Sequence, residues 1–282
     1  MILLLLLVAF PLGISLLTCA LFWYETANSA HRQYLENLSN GRPWRLLTRG
    51  VLSSYLGIIL TVALYPTALW RKWWQPTLDP DCHTPPIILL HGLYHNVSAW
   101  ALYRRWLTTA GFSNITLMGY SSWNRTFPEL VKRLEQLIAQ ARESFPEKPP
   151  ILIGHSLGGL LARACVQSLA DSIPIGGVIT LGTPHQGSKL AALGIGKLAK
   201  SLIYRGPLIK ELEEGASKSD TPCVALYSPI DNMVLPNHAL QTTGAGWIHQ
   251  ETAPVSHVAM LYHRPTAELT IEYLKSMCNT MK

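Results

Sequence analysis

Apolar residues are spread along this chain in two different ways. From Met1 to Tyr24 no side chain is charged and the run is almost continuous Leu, Ile, Val and Phe; Gly50 to Trp70 is again free of charge. Each run is close to the roughly 20 residues with which a helix crosses about 30 Å of hydrocarbon. Pro11 and Pro66 are compatible with that reading, since a spanning helix absorbs a kink. Trp23 and Tyr24 follow the first run, and Trp70, Trp73 and Trp74 follow the second, where amphipathic rings suit the headgroup level. Residues 1–75 are therefore expected to form a membrane anchor of two hydrophobic helices. A cleaved signal peptide is the alternative for the first run, but no Lys or Arg precedes it. Its only cleavage-like or lipobox-like stretch is the weak Leu16-Leu17-Thr18-Cys19-Ala20. A buried globular helix is the alternative for the second run, and the abrupt Arg71-Lys72 ending favours the membrane.

Beyond Trp74 the pattern changes. Pro and Asp dominate up to Pro86, so residues 76–86 read as a linker. From Ile87 short apolar runs alternate with amphipathic stretches. Strands are expected at Ile87–Leu90, Ile115–Met118, Ile151–Ile153, Gly177–Leu181, Val224–Tyr227 and Gly246–His249. Helical patterns lie between them, at Ala99–Ala110, Glu129–Arg142, Leu157–Leu169, Lys189–Glu214 and Thr266–Met277. This alternation predicts an α/β domain over residues 87–282, with a mostly parallel sheet covered by helices on both faces.

Composition adds three constraints. Charged residues make up 14% of the 282, against about 25% in an average soluble domain, which excludes a disordered polar chain. The net charge of +6 is scattered rather than gathered in a stripe, so no nucleic-acid partner is expected and the surplus suits anionic lipid headgroups. Five cysteines without a C-x-x-C pair exclude a disulfide-dense miniprotein and a zinc ribbon. Cys82 and Cys278 form a pair only in an oxidising compartment, and nothing in the sequence brings them together. The segment between the two apolar runs carries Arg32, Arg42, Arg45 and Arg49, against Arg71 and Lys72 after the second. That bias expects the segment in the cytoplasm and the α/β domain on the non-cytoplasmic side of the cell (inner) membrane.

The segment Ile151-Leu152-Ile153-Gly154-His155-Ser156-Leu157-Gly158-Gly159 sets G-x-S-x-G between a strand and a helical pattern. A nucleophilic serine needs that arrangement. Its hydroxyl stands clear of the sheet on a sharp turn, small residues let backbones approach, and a helix N-terminus faces the developing negative charge. Upstream, Ile87–Leu90 ends in His91-Gly92-Leu93. The N–H groups of Leu93 and Leu157 are the expected oxyanion donors, with His91, Gly92, Gly154, His155 and Gly158 as the supporting motif. A metal site on His91 and His95 with Cys82 or His83 is a weak rival lacking helical context.

A serine nucleophile needs a base, and the base an acid that holds its tautomer. In a fold that carries its serine on such a strand–turn–helix, the chain order is serine, then Asp or Glu, then histidine. Asp231 follows the strand ending at Tyr227 and is favoured over Asp171 and Asp220; His257 follows the last strand and is favoured over His249 and His263. His185 precedes Asp231, the wrong order for a base, and His238 reads as a solvated or capping residue.

These residues, together with Gly182-Thr183-Pro184-His185-Gln186-Gly187-Ser188, resemble the α/β-hydrolase superfamily, nearest its membrane-associated lipase and esterase branch. The resemblance covers roughly the last 200 residues and leaves the first 75 or so outside it. It implies a membrane-bound carboxylic ester hydrolase acting on lipid acyl or other acyl esters, with no metal or organic cofactor. Acyl transfer or thioester cleavage by the same triad is the alternative, and a non-catalytic tethered module a more distant one. In similar lipases a mobile apolar cap occupies the position of Lys189–Glu214, which otherwise reads as an ordinary amphipathic helix.

Overall fold

The computed structural model describes residues 2–79, 83–170, 172–215 and 220–280, with side chains from residue 8 onward. Cys82, one half of the conceivable pair with Cys278, and Asp171, the rival acid, lie outside the described residues. Three N-terminal helices, α1 (Ile2–Ala27), α2 (His31–Leu38) and α3 (Pro43–Leu64), precede the sheet. The α/β part then runs β1 (Ile87–Leu90), α4 (Ala101–Thr109), β2 (Ile115–Met118), α5 (Phe127–Ser144), β3 (Ile151–His155) and α6 (Leu157–Ser168). It continues through β4 (Gly177–Leu181), α7 (Lys197–Ser201), α8 (Pro207–Glu214), β5 (Cys223–Tyr227), β6 (Trp247–Glu251) and α9 (Arg264–Thr280).

The strands form one sheet in the order β2-β1-β3-β4-β5-β6, every neighbouring pair parallel. Runs such as Ile87–Leu90 are apolar at every position because both faces are covered. Ile88, Leu90 and Leu152 pack with Leu130, Leu134, Ile138 and Leu160 of α5 and α6 on one face. Ile87, Leu89 and Ile153 pack with Tyr103, Leu107 and Leu274 of α4 and α9 on the other. Helix α5 starts on a reciprocal capping box in which Thr126 and Glu129 satisfy each other's backbone N–H groups. All six strands and four of the five helical patterns fall where the sequence expects them, with ends shifted by at most three residues.

Lys189–Glu214 departs from the expected continuous pattern. It breaks into a 3-10 turn at Lys189–Leu193 and the short helices α7 and α8. Gly196, at φ +94°, interrupts it, and Pro207 opens a new helix after Gly206. The stretch after Trp74 is also partly tied down: Thr77 exchanges both backbone hydrogen bonds with Ile115, each 3.1 Å, at the sheet edge.

The N-terminal helices pack against the α/β unit. Helix α1 contains the apolar span Val8–Ala27, and α3 together with the 3-10 turn Tyr65–Leu69 makes the span Pro43–Leu69; both are long enough to cross a membrane, yet part of each is buried against protein. Phe22, Leu35 and Leu46 form one cluster with Ile230 and Leu235. Helix α2, in the connecting segment, touches the α/β unit directly: His31 Nε2 meets the Pro229 carbonyl at 2.7 Å and the Tyr34 hydroxyl donates to Glu251 at 2.5 Å. The Lys/Arg bias expects these two parts on opposite sides of a bilayer; here they are in contact.

Candidate active site

Ser156 sits on the elbow between β3 and α6 at φ +54°, ψ −122°, a backbone conformation few non-glycine residues adopt. Close packing holds it there. A Cβ on Gly158 would lie 2.2 Å from the Leu90 carbonyl oxygen, and one on Gly154 would lie 2.4 Å from the Gly158 carbonyl carbon. Only glycine lets β1, β3 and α6 approach so closely. The elbow is fastened behind by the Ser156 N–H donating to the Leu181 carbonyl (2.9 Å) and by the Thr183 hydroxyl donating to the Ser156 carbonyl (3.1 Å).

Asp231 and His257 come from loops after β5 and β6, at the carboxyl edge of the sheet where open α/β folds assemble their chemistry. Their side chains meet at 2.7 Å, Nδ1 of His257 donating to Oδ2 of Asp231. The carboxylate is fully buried, and its other oxygen accepts the N–H groups of Met233 and Val234, both at 2.9 Å. This buried charge therefore has partners on both oxygens, as burial requires. With Nδ1–H engaged, the neutral imidazole keeps Nε2 as its acceptor. His257 and Ser156 line one cavity of about 760 Å³; among the described residues Ser156 Oγ makes no hydrogen bond. Without substrate, catalytic hydrogen bonds are often long.

Of the rival side chains, Asp220 lies before β5 and is exposed. His249 accepts the Thr242 N–H at 3.2 Å, and His263 bonds the Thr266 hydroxyl at 2.9 Å at the start of α9. His185 is buried on the Thr180 hydroxyl (3.0 Å), while exposed His238 meets the Tyr204 hydroxyl at 3.0 Å.

The loop after β1 is built around His91. Its Nδ1–H donates to the Gly92 carbonyl at 2.9 Å, and its Nε2 accepts the Tyr120 N–H at 3.2 Å. The Tyr120 ring stacks on the imidazole at 3.9 Å and its hydroxyl donates to the His91 carbonyl. Both ring nitrogens are thus occupied in fixing the loop that carries Leu93. The Leu93 N–H has no partner among the described residues, and Leu157 opens α6, where a helix leaves its first N–H groups without internal acceptors. Leu157 follows Ser156 directly, and Leu93 lines the same cavity as Ser156. Among the described residues no group of three or more His, Cys, Asp or Glu could hold a metal ion; Cys82, named in the rival set, lies outside them.

His155 donates from Nε2 to the His257 carbonyl at 3.1 Å and lies parallel to His95, ring centres 5.8 Å apart. Burial, with the nearby imidazoles second, holds His155 well below the usual histidine range and pushes His95 down to about 3.

Sequence reasoning did not single out Asn232. Its Oδ1 accepts the His257 N–H at 3.1 Å, while its Nδ2 donates to Thr18 on α1 at 2.6 Å and to Ser54 on α3 at 3.2 Å. Ser53 on α3 accepts the Ser256 N–H at 3.0 Å. The available signal was hydroxyls inside otherwise apolar helices, which mark an inward-facing side. The broken segment after β4 also reaches the site: Leu190, Ala191 and Leu202 line the cavity, while Leu198 and Leu212 join the core beneath.

A model of the Alpha/beta hydrolase family matches residues 87–269, and no curated protein sequence matches the chain. Among solved structures, the mature Bacillus licheniformis lipase BlEst2 superposes with a TM-score of 0.58 at 19% identity, covering 71% of this chain and 96% of that one. Aspergillus fumigatus lipase B gives 0.60 at 16%, covering 70% and 54%. Phospholipase PlaB from Legionella pneumophila gives 0.58 at 16%, covering 70% and 61%. The fold shared with these structures, and the match over well more than half of the sequence, mean that this chain belongs to the alpha/beta hydrolase family.

Proposed function

We propose that the chain is a membrane-associated serine hydrolase that cleaves carboxylic esters of fatty acids through an acyl-enzyme on Ser156. The observation that carries this reading is the 2.7 Å contact between the buried Asp231 carboxylate and His257 Nδ1, from two loops that converge on the cavity lined by Ser156. His257 Nε2 takes the Ser156 proton as Oγ bonds the acyl carbon, and the negative oxygen faces the Leu93 and Leu157 N–H groups. Collapse breaks the bond to the alkoxide, which leaves as an alcohol with the proton from His257. Water then repeats the sequence and releases the acid. Asp231 holds the tautomer and stabilises the imidazolium. The lipases and the phospholipase among the structural relatives are in keeping with this substrate class, and the apolar spans of α1 and α3 with residence at a membrane.

A fluorophosphonate probe is expected to label the detergent-purified protein, and Ser156→Ala to abolish both labelling and ester turnover. Loss of a triad serine typically costs on the order of 10⁶ in turnover. Ester cleavage that survives Ser156→Ala would overturn the assignment. Product analysis with a lipid alcohol present separates hydrolysis from acyl transfer.

A further inference from the structure

The cavity at Ser156 does not end within the α/β unit. One wall is α1, through Phe10, Ile14 and Leu17, and the facing wall is α3, through Ile58 and Val62. Spacings of four and three residues place each set on a single helical stripe. Both stripes begin at the same level, because Thr18 and Ser54 are held on Asn232 beside His257. From there α1 runs toward Phe10 and α3 toward Val62, each for about 12 Å of helix rise.

The polar character of the cavity changes along this length. His155, Ser156 and His257 gather at one end. Farther along α3, the Thr61 hydroxyl is already engaged, bonded to the Gly57 carbonyl at 2.9 Å and to the Tyr262 hydroxyl at 3.0 Å. The stripes therefore offer an occupant apolar contact and almost no hydrogen bonding. The slot is also open at its outer side, where Phe10 and Leu17 are more than half exposed. Leu12, Leu16, Leu52 and Leu56, on the same two helices, are exposed as well. A surface of that kind is stable in contact with lipid tails.

We propose that the slot between α1 and α3 is the acyl-chain site. A long, unbranched acyl chain, drawn from the bilayer in contact with these helices, lies along the Phe10–Leu17 and Ile58–Val62 stripes with its ester carbonyl at Ser156. This rests on Ser156 being the nucleophile, and it makes the N-terminal helices part of the substrate site as well as a membrane attachment.

Two measurements test it. The first compares Ile14→Trp and Ile58→Trp with the unaltered protein on nitrophenyl esters from butanoate to hexadecanoate. The hexadecanoate-to-butanoate ratio of kcat/KM is expected to fall about tenfold or more in each variant. An unchanged ratio overturns the proposal. The second needs no variant. A fluorophosphonate with a long alkyl chain and a terminal diazirine is attached to the unaltered protein, photolysed and mapped by mass spectrometry. Cross-links are expected in α1 or α3; cross-links confined to residues 189–214 overturn the proposal. If the same probe fails to label Ser156 at all, the serine-hydrolase reading falls, and the acyl-chain site with it.

Discussion

Asn232 holds the backbone of His257, its Oδ1 accepting the histidine N–H at 3.1 Å. The other end of the same amide is held by Thr18 and Ser54, so a single buried side chain ties both apolar helices to the loop that carries the proposed base. Removing it leaves a backbone N–H and two hydroxyls without this partner. Asn232→Ala is expected to lower stability by about 1–3 kcal/mol in denaturant titrations. As a positioning residue it should lower kcat more than it raises KM on a short, soluble ester, where the acyl slot is hardly used. Thr18→Val should lose part of the same stability, and less again when Asn232 is already Ala, because the two share one hydrogen bond.

The strands were legible because two-sided burial leaves uninterrupted apolar runs such as Ile87–Leu90 and Gly177–Leu181. The elbow was legible because Gly154 and Gly158 are required by backbone approach, a local constraint that no other residue meets. Asp231 and His257 followed from chain order, and the structure brings them together. What was not legible depends on distance along the chain. The Thr18–Asn232 bond joins residues separated by 214 positions, and no periodicity encodes such a pairing. The apolar character of α1 and α3 is compatible with a membrane, but it cannot encode the proposed second role, because a residue facing lipid and one facing an acyl chain have the same chemistry. The break in Lys189–Glu214 was readable in principle from Gly194, Gly196, Gly206 and Pro207, which outweigh the loosely helical spacing of its leucines.

Buried imidazoles weaken this fold in acid. Desolvation is the largest influence on His91 and His95, pushed down to about 4 and about 3, and it holds His155 and His185 well below the usual range. His91 and His95 are therefore neutral in the folded chain at pH 5, whereas an unfolded histidine takes up its proton near pH 6.5. Below that value the unfolded state binds more protons, so stability falls with pH from about 6.5 toward 4, and for His95 toward 3. At pH 5 His91 and His95 each cost about 2 kcal/mol relative to neutral pH, and His155 and His185 act in the same direction. Thermal unfolding followed by circular dichroism is expected to show a midpoint that is flat above pH 7 and drops steeply toward pH 5. His91→Asn, which exchanges one titrating group for an amide, should flatten that slope even if it lowers the midpoint overall.

The packing of α2 fixes an expectation for membrane topology. His31 and Tyr34 reach Pro229 and Glu251 at one end of the helical pair. At the other end, Asn96 donates to the Tyr65 carbonyl at 3.1 Å, and Arg104 donates to the Trp73 carbonyl at 2.5 Å. The α/β unit thus follows α3 along its length, which at 22 residues is about 33 Å, close to the thickness of a hydrocarbon core. If α1 and α3 crossed a bilayer end to end, charged groups such as Arg104 and Glu251 would have to lie on opposite sides of it while belonging to one sheet unit. The arrangement that keeps every contact is a helical pair lying with its exposed apolar face in one leaflet, and the α2 segment on the same side as the sheet. Protease sites placed between Asn40 and Gly41 and after Lys282, assayed in sealed vesicles, are therefore expected to be cut together or protected together. Cleavage at one site with protection of the other would establish that the helices cross, as the Lys/Arg bias alone expects, and that the α2 contacts do not persist in the membrane.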